Sequence, residues 1–195
     1  MGRLAAIVVA GGEARRFGAD KLALRDDTGR TLLEMVCQGA AEYADPVVVV
    51  GPARALACEV TWAREDPPGG GPGAALIAGL RVLPPDADRV MVLAGDSPRG
   101  PAVIPLLRSA LDQQVGVAAT VVDDQGREQH ITTLYDVAAL HEVVPAYGDG
   151  RDMSVRRILD DLRPRGVIAV PDVNGAADDV DRPADALRLG LRLDP

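Results

Sequence analysis

Lysine is almost missing from this 195-residue chain: Lys21 stands alone against twenty arginines. A coding bias toward Arg accounts for the twenty and leaves Lys21 as the position to explain. Aromatic side chains number five, so a core of useful size has to be built from Ala, Val, Leu and Ile. Two cysteines, Cys37 and Cys58, form no CxxC pair. They offer neither a disulfide framework nor a zinc pattern and read as reduced apolar residues. No apolar run approaches the roughly 18 residues of a membrane span. Gly11-Gly12-Glu13 follows the first apolar run where a signal cleavage site would have to lie. The expectation is therefore a cytoplasmic protein. Positive charge is also short, with 21 basic against 29 acidic residues and a net charge of −8. That balance argues against a nucleic-acid partner or an anionic membrane surface, while leaving room for a small basic pocket.

What is present is organised as one globular unit. Apolar residues make up 47% and charged residues 26%, which is globular composition, and the length suits one domain over 1–195. Continuous apolar runs at Leu4–Ala10, Pro46–Gly51 and Arg89–Gly95 suit strands buried on both faces. Weaker strands are read at Val60–Trp62, Val115–Val122, His130–Tyr135 and Val167–Val170. Helices are read between them. Thr31-Leu32-Leu33-Glu34 is a capping box opening a helix to about Ala44. Others are read at Pro72–Leu83, Pro101–Leu111, Val137–Val144, Met153–Leu162 and Ala184–Leu189. Strands alternating with helices predict a three-layer α/β fold with a mostly parallel sheet.

The loop after the first strand reads Gly11-Gly12-Glu13-Ala14-Arg15-Arg16-Phe17-Gly18-Ala19-Asp20-Lys21. Open α/β sheets bind ligands beyond the carboxyl ends of their strands. A glycine pair lets backbone amides approach an anion, and three cations follow within the same loop. In an acidic protein this is a local phosphate-binding signature. It is neither a Walker A loop, since Gly18 lacks the Lys-Ser/Thr that must follow, nor the G-x-G-x-x-G of a dinucleotide site. The third strong strand ends Gly95-Asp96-Ser97-Pro98, at the same sheet edge. A carboxylate there suits either Mg²⁺ or a helix N-cap. Asp179-Val180-Asp181-Arg182-Pro183-Ala184-Asp185 offers further carboxylates.

Val9-Ala10-Gly11-Gly12, Arg15-Arg16-Phe17-Gly18 and Asp20-Lys21 resemble the L-A-G-G-x-x-x-R-M-G-x-x-K signature of nucleotidyltransferases. The molybdenum cofactor guanylyltransferases are the subgroup most resembled. Glu65-Asp66 before Gly71-Pro72 is similar to their D…GP segment, Gly95-Asp96-Ser97-Pro98 to their D-M-P motif, and 179–185 to their C-terminal motif. The likeness spans about residues 4–189. Ser97 stands in place of Met, Gly73 in place of Leu, Arg182 in place of Thr, and Gln129-His130-Ile131-Thr132 in place of a His-Pro segment facing the acceptor.

The resemblance implies a Rossmann-like nucleotidyltransferase fold. It implies Mg²⁺-dependent transfer of GMP from GTP to a phosphorylated pterin, molybdopterin, with release of pyrophosphate. It assigns Arg15, Lys21 and Asp96 to catalysis. It assigns Val9, Ala10, Gly11, Gly12, Arg15, Lys21, Gly51, Asp66 and Asp96 to the nucleotide. Asp96 and Asp181 would hold the metal, with Asp179 and Asn174 as competing choices for the second ligand. Transfer of CMP, transfer to another phosphorylated small molecule, and a non-catalytic nucleotide-binding module stay open as alternatives.

Overall fold

The computed structural model describes residues 2–11, 17–18, 20–173 and 175–192. Gly12, Arg15 and Asn174, singled out above, lie outside them. The strands are β1 (Arg3–Val9), β2 (Val47–Val50), β3 (Thr61–Ala63), β4 (Ala87–Ala94), β5 (Ala118–Val122), β6 (Glu128–Asp136) and β7 (Val167–Pro171). They form one sheet in the order β3-β2-β1-β4-β6-β5-β7. The helices are α1 (Leu32–Ala41), α2 (Gly71–Leu80), α3 (Ile104–Gln113), α4 (Val137–Val143), α5 (Val155–Leu162) and α6 (Pro183–Arg188).

The alternation along β1 shows why three layers form. Leu4, Ala6 and Val8 pack into one buried cluster with Val36 and Cys37 of α1 and Leu107 of α3. Ala5 and Ile7 point to the opposite face, into a cluster with Leu76 of α2, Leu140 of α4 and Ile158 of α5. Strand period two thus feeds two helical layers, as the unbroken apolar run predicts. The capping box on α1 is present: Thr31 Oγ1 accepts from the Glu34 amide at 3.2 Å, and Glu34 Oε2 accepts from the Thr31 amide at 2.7 Å. Cys37 is fully buried, and burial pushes its thiol up to about 12.

Six strands run parallel to a neighbour of the sheet in the expected way, and β6 runs antiparallel to both β4 and β5. The cause is the tight turn between β5 and β6. Asp123 Oδ1 accepts from the amides of Gln125 and Arg127, each at 2.9 Å, and closes a hairpin that permits only the antiparallel direction. α3 begins at Ile104 rather than Pro101, because Gly100–Val103 forms a tighter 3₁₀ turn first.

A third apolar cluster joins distant parts of the chain. Leu24 and Leu32 pack with Val180, Ala186 and Leu191. Arg25 and Arg192 exchange backbone hydrogen bonds of 2.7 and 2.9 Å. The C-terminal segment is thereby held beside the loop that follows β1. Gly73, where Leu would match the family pattern, also has a structural cause. A Cβ there would lie 2.6 Å from the Met153 carbonyl oxygen. Gly73→Leu is expected to cost about 1–3 kcal/mol through overpacking, measured by urea unfolding; unchanged stability would show that the 150–153 segment yields freely.

Candidate active site

The strand order reverses between β1 and β4, so the loops leaving these two strands diverge and open a cleft. Val9 pairs with Ala94 at the end of both strands, and the Gly95 amide donates to the Val9 carbonyl at 2.9 Å. The cleft there has a volume of about 1160 Å³, and Val9, Ala10, Gly11, Lys21 and Asp96 line it. Five of the residues expected at the nucleotide are thus brought together.

Lys21 opens a one-turn 3₁₀ helix whose first turn is capped by Asp20, with Oδ1 accepting from the Leu22 amide at 3.2 Å. The turn aims the lysine at two carboxylates. Its Nζ forms an ion pair with Asp96 Oδ2 and lies 3.2 Å from Asp181 Oδ1. Asp96 comes from the end of β4. Asp181 comes from 160 residues beyond Lys21 in the chain, carried in by the third apolar cluster. The Val180 amide donates to the Asp96 carbonyl at 3.1 Å and fixes the two acidic segments together. Lys21 and Asp96 are mostly enclosed, with 19% and 18% of their side-chain surface exposed, against 43% for Asp181. Burial pulls the Lys21 ammonium down, but bonds and charge from Asp96 and then Asp181 more than offset it and raise its pKa.

Asp179 sits close enough to feel the same charges. Desolvation, and then Asp181 and Asp96, hold its carboxyl above the ordinary aspartate value, with Lys21 opposing. It faces a second recess of about 1080 Å³, also walled by Arg127, Gln129, His130, Arg156 and Arg188. Burial lowers the pKa of His130, which therefore favours the neutral form; it faces Glu128 Oε2 at 3.6 Å.

Two expected nucleotide residues do not line the cleft. Gly51 is buried behind Ala10, with room so tight that a Cβ would come within 2.8 Å of the Ala10 carbonyl oxygen. It shapes the floor from below. Asp66 is exposed, and its neighbour Glu65 is the buried one that faces the cleft. Glu65 Oε1 would lie 3.0 Å from a Cβ placed on Gly11. Sequence reading also passed over Arg54, which lines the cleft and pairs with Asp20 at 2.7 Å. Its signal was its place just after β2, at the same edge as the other loops.

A divalent cation fits these residues on two counts. The donors are hard carboxylate oxygens, and a cation, the Lys21 ammonium, already stands between them. Among the described residues no group of three or more His, Cys, Asp or Glu side chains is arranged to hold a metal. A Mg²⁺ site needs fewer, since that ion is held by one or two carboxylates together with substrate phosphates.

Residues 6–166 match the family model described as the MobA-like NTP transferase domain. The chain belongs to that family. This MobA-like NTP transferase is accordingly a nucleotidyltransferase. A probable molybdenum cofactor guanylyltransferase of Synechococcus elongatus is 36% identical to it over 160 residues, 75% of this chain and 79% of that protein. A protein of the same description from Mycolicibacterium paratuberculosis is 34% identical over 164 residues, 81% of each. The structure of molybdopterin-guanine dinucleotide biosynthesis protein A from Archaeoglobus fulgidus covers 94% of this MobA-like chain and 95% of its own, with TM-score 0.70 at 22% identity. That last likeness establishes the Rossmann-like nucleotidyltransferase fold. Among the described residues no helix is long and apolar enough to cross a membrane.

Proposed function

We propose that this protein transfers GMP from GTP to a phosphorylated pterin of the molybdopterin type, with Mg²⁺, and releases pyrophosphate. The observation that carries the reading is the convergence of Lys21, Asp96 and Asp181 at the point where the strand order reverses. The kinship with molybdenum cofactor guanylyltransferases supports the guanine nucleotide, and the likeness to a molybdopterin-guanine dinucleotide biosynthesis protein supports the pterin.

In this reading the acceptor phosphate oxygen bonds to the α-phosphorus of GTP and the bond to the β-phosphate oxygen breaks. Catalysis of such transfers is mainly positioning and charge neutralisation. Lys21 stabilises charge building on the α-phosphate. Amides of Gly11 and Gly12, with Arg15, hold the outer phosphates; Gly12 and Arg15 are assigned on sequence pattern alone. Asp96 and Asp181 would hold Mg²⁺, which when bound neutralises phosphate charge. No general base is needed, because a phosphate acceptor is ionised at neutral pH. The second recess, beyond Asp179, is on the acceptor side of Lys21 in this reading.

Glu65 takes the role expected of Asp66. A buried carboxylate repels phosphates, so the nucleoside end lies toward β3 and Glu65. Guanine presents two adjacent donors, N1–H and the N2 amino group, which a carboxylate can accept together. Adenine, cytosine and uracil present a donor beside an acceptor. Glu65→Gln is expected to weaken GTP binding about 10–100-fold, the range for a lost bond to a charged group, with a much smaller effect on ATP. Equal losses for both nucleotides would remove Glu65 from base selection.

A thermal-shift panel of GTP, CTP, ATP, UTP and NAD, each with and without Mg²⁺, tests the reading. At about 100 times its dissociation constant a ligand stabilises by about 2.7 kcal/mol, a shift of about 5–10 °C for a chain of this size. A Mg²⁺-dependent shift confined to GTP is expected. A shift with CTP instead transfers the proposal to cytidylyl transfer, and no shift with any triphosphate contradicts it.

A further inference from the structure

The Lys21 ammonium stands where it reaches both carboxylates. Its Nζ pairs with Asp96 and lies 3.2 Å from Asp181 Oδ1, while the backbone bond from Val180 to Asp96 keeps the two carboxylates at this spacing. A divalent ion held by both would stand at nearly the same point, closer to the oxygens. Two cations cannot share it. The Lys21–Asp96 ion pair is also mostly enclosed, so solvent screens it little.

We propose that Lys21 is an internal stand-in for the metal: it keeps the Asp96–Asp181 site closed to divalent cations until a triphosphate draws it away. This rests on the reading of these two aspartates as the metal's ligands, and concerns how that site is regulated. The free protein then needs no metal to neutralise these two partly enclosed carboxylates. An incoming triphosphate offers the ammonium a new anionic partner, and the vacated carboxylates take the ion that accompanies the phosphates. Metal and nucleotide binding are thereby coupled, and the coupling is reciprocal. The same residue serves the α-phosphate when the nucleotide is present and the carboxylates when it is absent.

The test is Mn²⁺ binding to the nucleotide-free protein, read by the electron paramagnetic resonance signal of free Mn²⁺. Lys21→Met retains most of the aliphatic stem and removes the charge; Lys21→Ala is a second variant should the first fail to fold. Each is expected to bind Mn²⁺ at least tenfold more tightly than the wild type. Adding Asp96→Asn to Lys21→Met is expected to abolish the gain. Arg54→Met removes one positive charge from the same cleft and is expected to change the affinity less than threefold. Overturning results are a Lys21→Met affinity equal to that of the wild type, a gain that survives Asp96→Asn, or an equal gain from Arg54→Met. The metal titration decides this point without any turnover. Failure of the transferase reading appears separately, as absence of nucleotide binding by the wild type.

Discussion

Replacing Lys21 by Arg is expected to cut turnover about 10²–10³-fold, the cost of losing one preorganised donor at a developing charge, and replacement by Ala at least as much. The expectation for Arg is the informative one, because the chain uses Arg almost everywhere else a cation is needed. Lys21 reaches its partners from a one-turn helix and is mostly enclosed between Asp96 and Asp181. A compact ammonium can move between a carboxylate and a phosphate oxygen within that space. A planar guanidinium is larger, and its fork of donors favours bidentate pairing with one carboxylate. Steady-state kinetics on both variants checks this. Near wild-type turnover of Lys21→Arg would make any cation sufficient and end the assignment. Combined with tighter Mn²⁺ binding by Lys21→Met, the loss of turnover would show one residue acting in opposite senses on metal and on chemistry.

Asp96→Ala is expected to lower Mg²⁺-dependent turnover by about 10³-fold or more, equivalent to about 4 kcal/mol of transition-state charge stabilisation. Its fold is expected to survive. The backbone carbonyl that accepts from Val180 is unchanged, and Lys21 keeps Asp181 as a partner. A stability loss of about 1.5–3 kcal/mol, the range for a lost bond to a charged group, corresponds to about 3–12 °C in Tm. Calorimetry with a Mg²⁺ titration of activity separates the two effects. Full activity at the wild-type Mg²⁺ requirement would take Asp96 out of the site.

The parts of this molecule that sequence made legible are those governed by local rules. β1 declared itself because burial on both faces demands an unbroken apolar run, and Ala5 and Ile7 do face away from Leu4, Ala6 and Val8. Thr31 and Glu34 declared α1 through the chemistry of its first turn. Lys21 and Asp96 were conspicuous because both follow strands at the ligand-binding edge. What escaped was decided by contacts between distant segments. The meeting of Asp181 with Lys21 and Asp96 depends on how Val180, Ala186 and Leu191 pack against Leu24 and Leu32, a contact between distant segments that no local spacing encodes. That Glu65 rather than Asp66 is the buried carboxylate lining the cleft is a matter of one residue, set by the turn after β3. The reversed direction of β6 followed from an Asp123 turn that periodicity alone cannot supply. Gly73 was a departure on paper and is a packing requirement in the structure.

The most direct test is a transfer assay. The protein is incubated with Mg²⁺, a phosphorylated pterin acceptor and, in turn, GTP, CTP, ATP or UTP, and pyrophosphate and the pterin dinucleotide are quantified together. GTP is expected to yield pyrophosphate and dinucleotide in equal amounts, with the other nucleotides at least about tenfold slower, as a carboxylate contact that only guanine satisfies requires. Absence of pyrophosphate from every triphosphate, with protein shown to be folded, would contradict it.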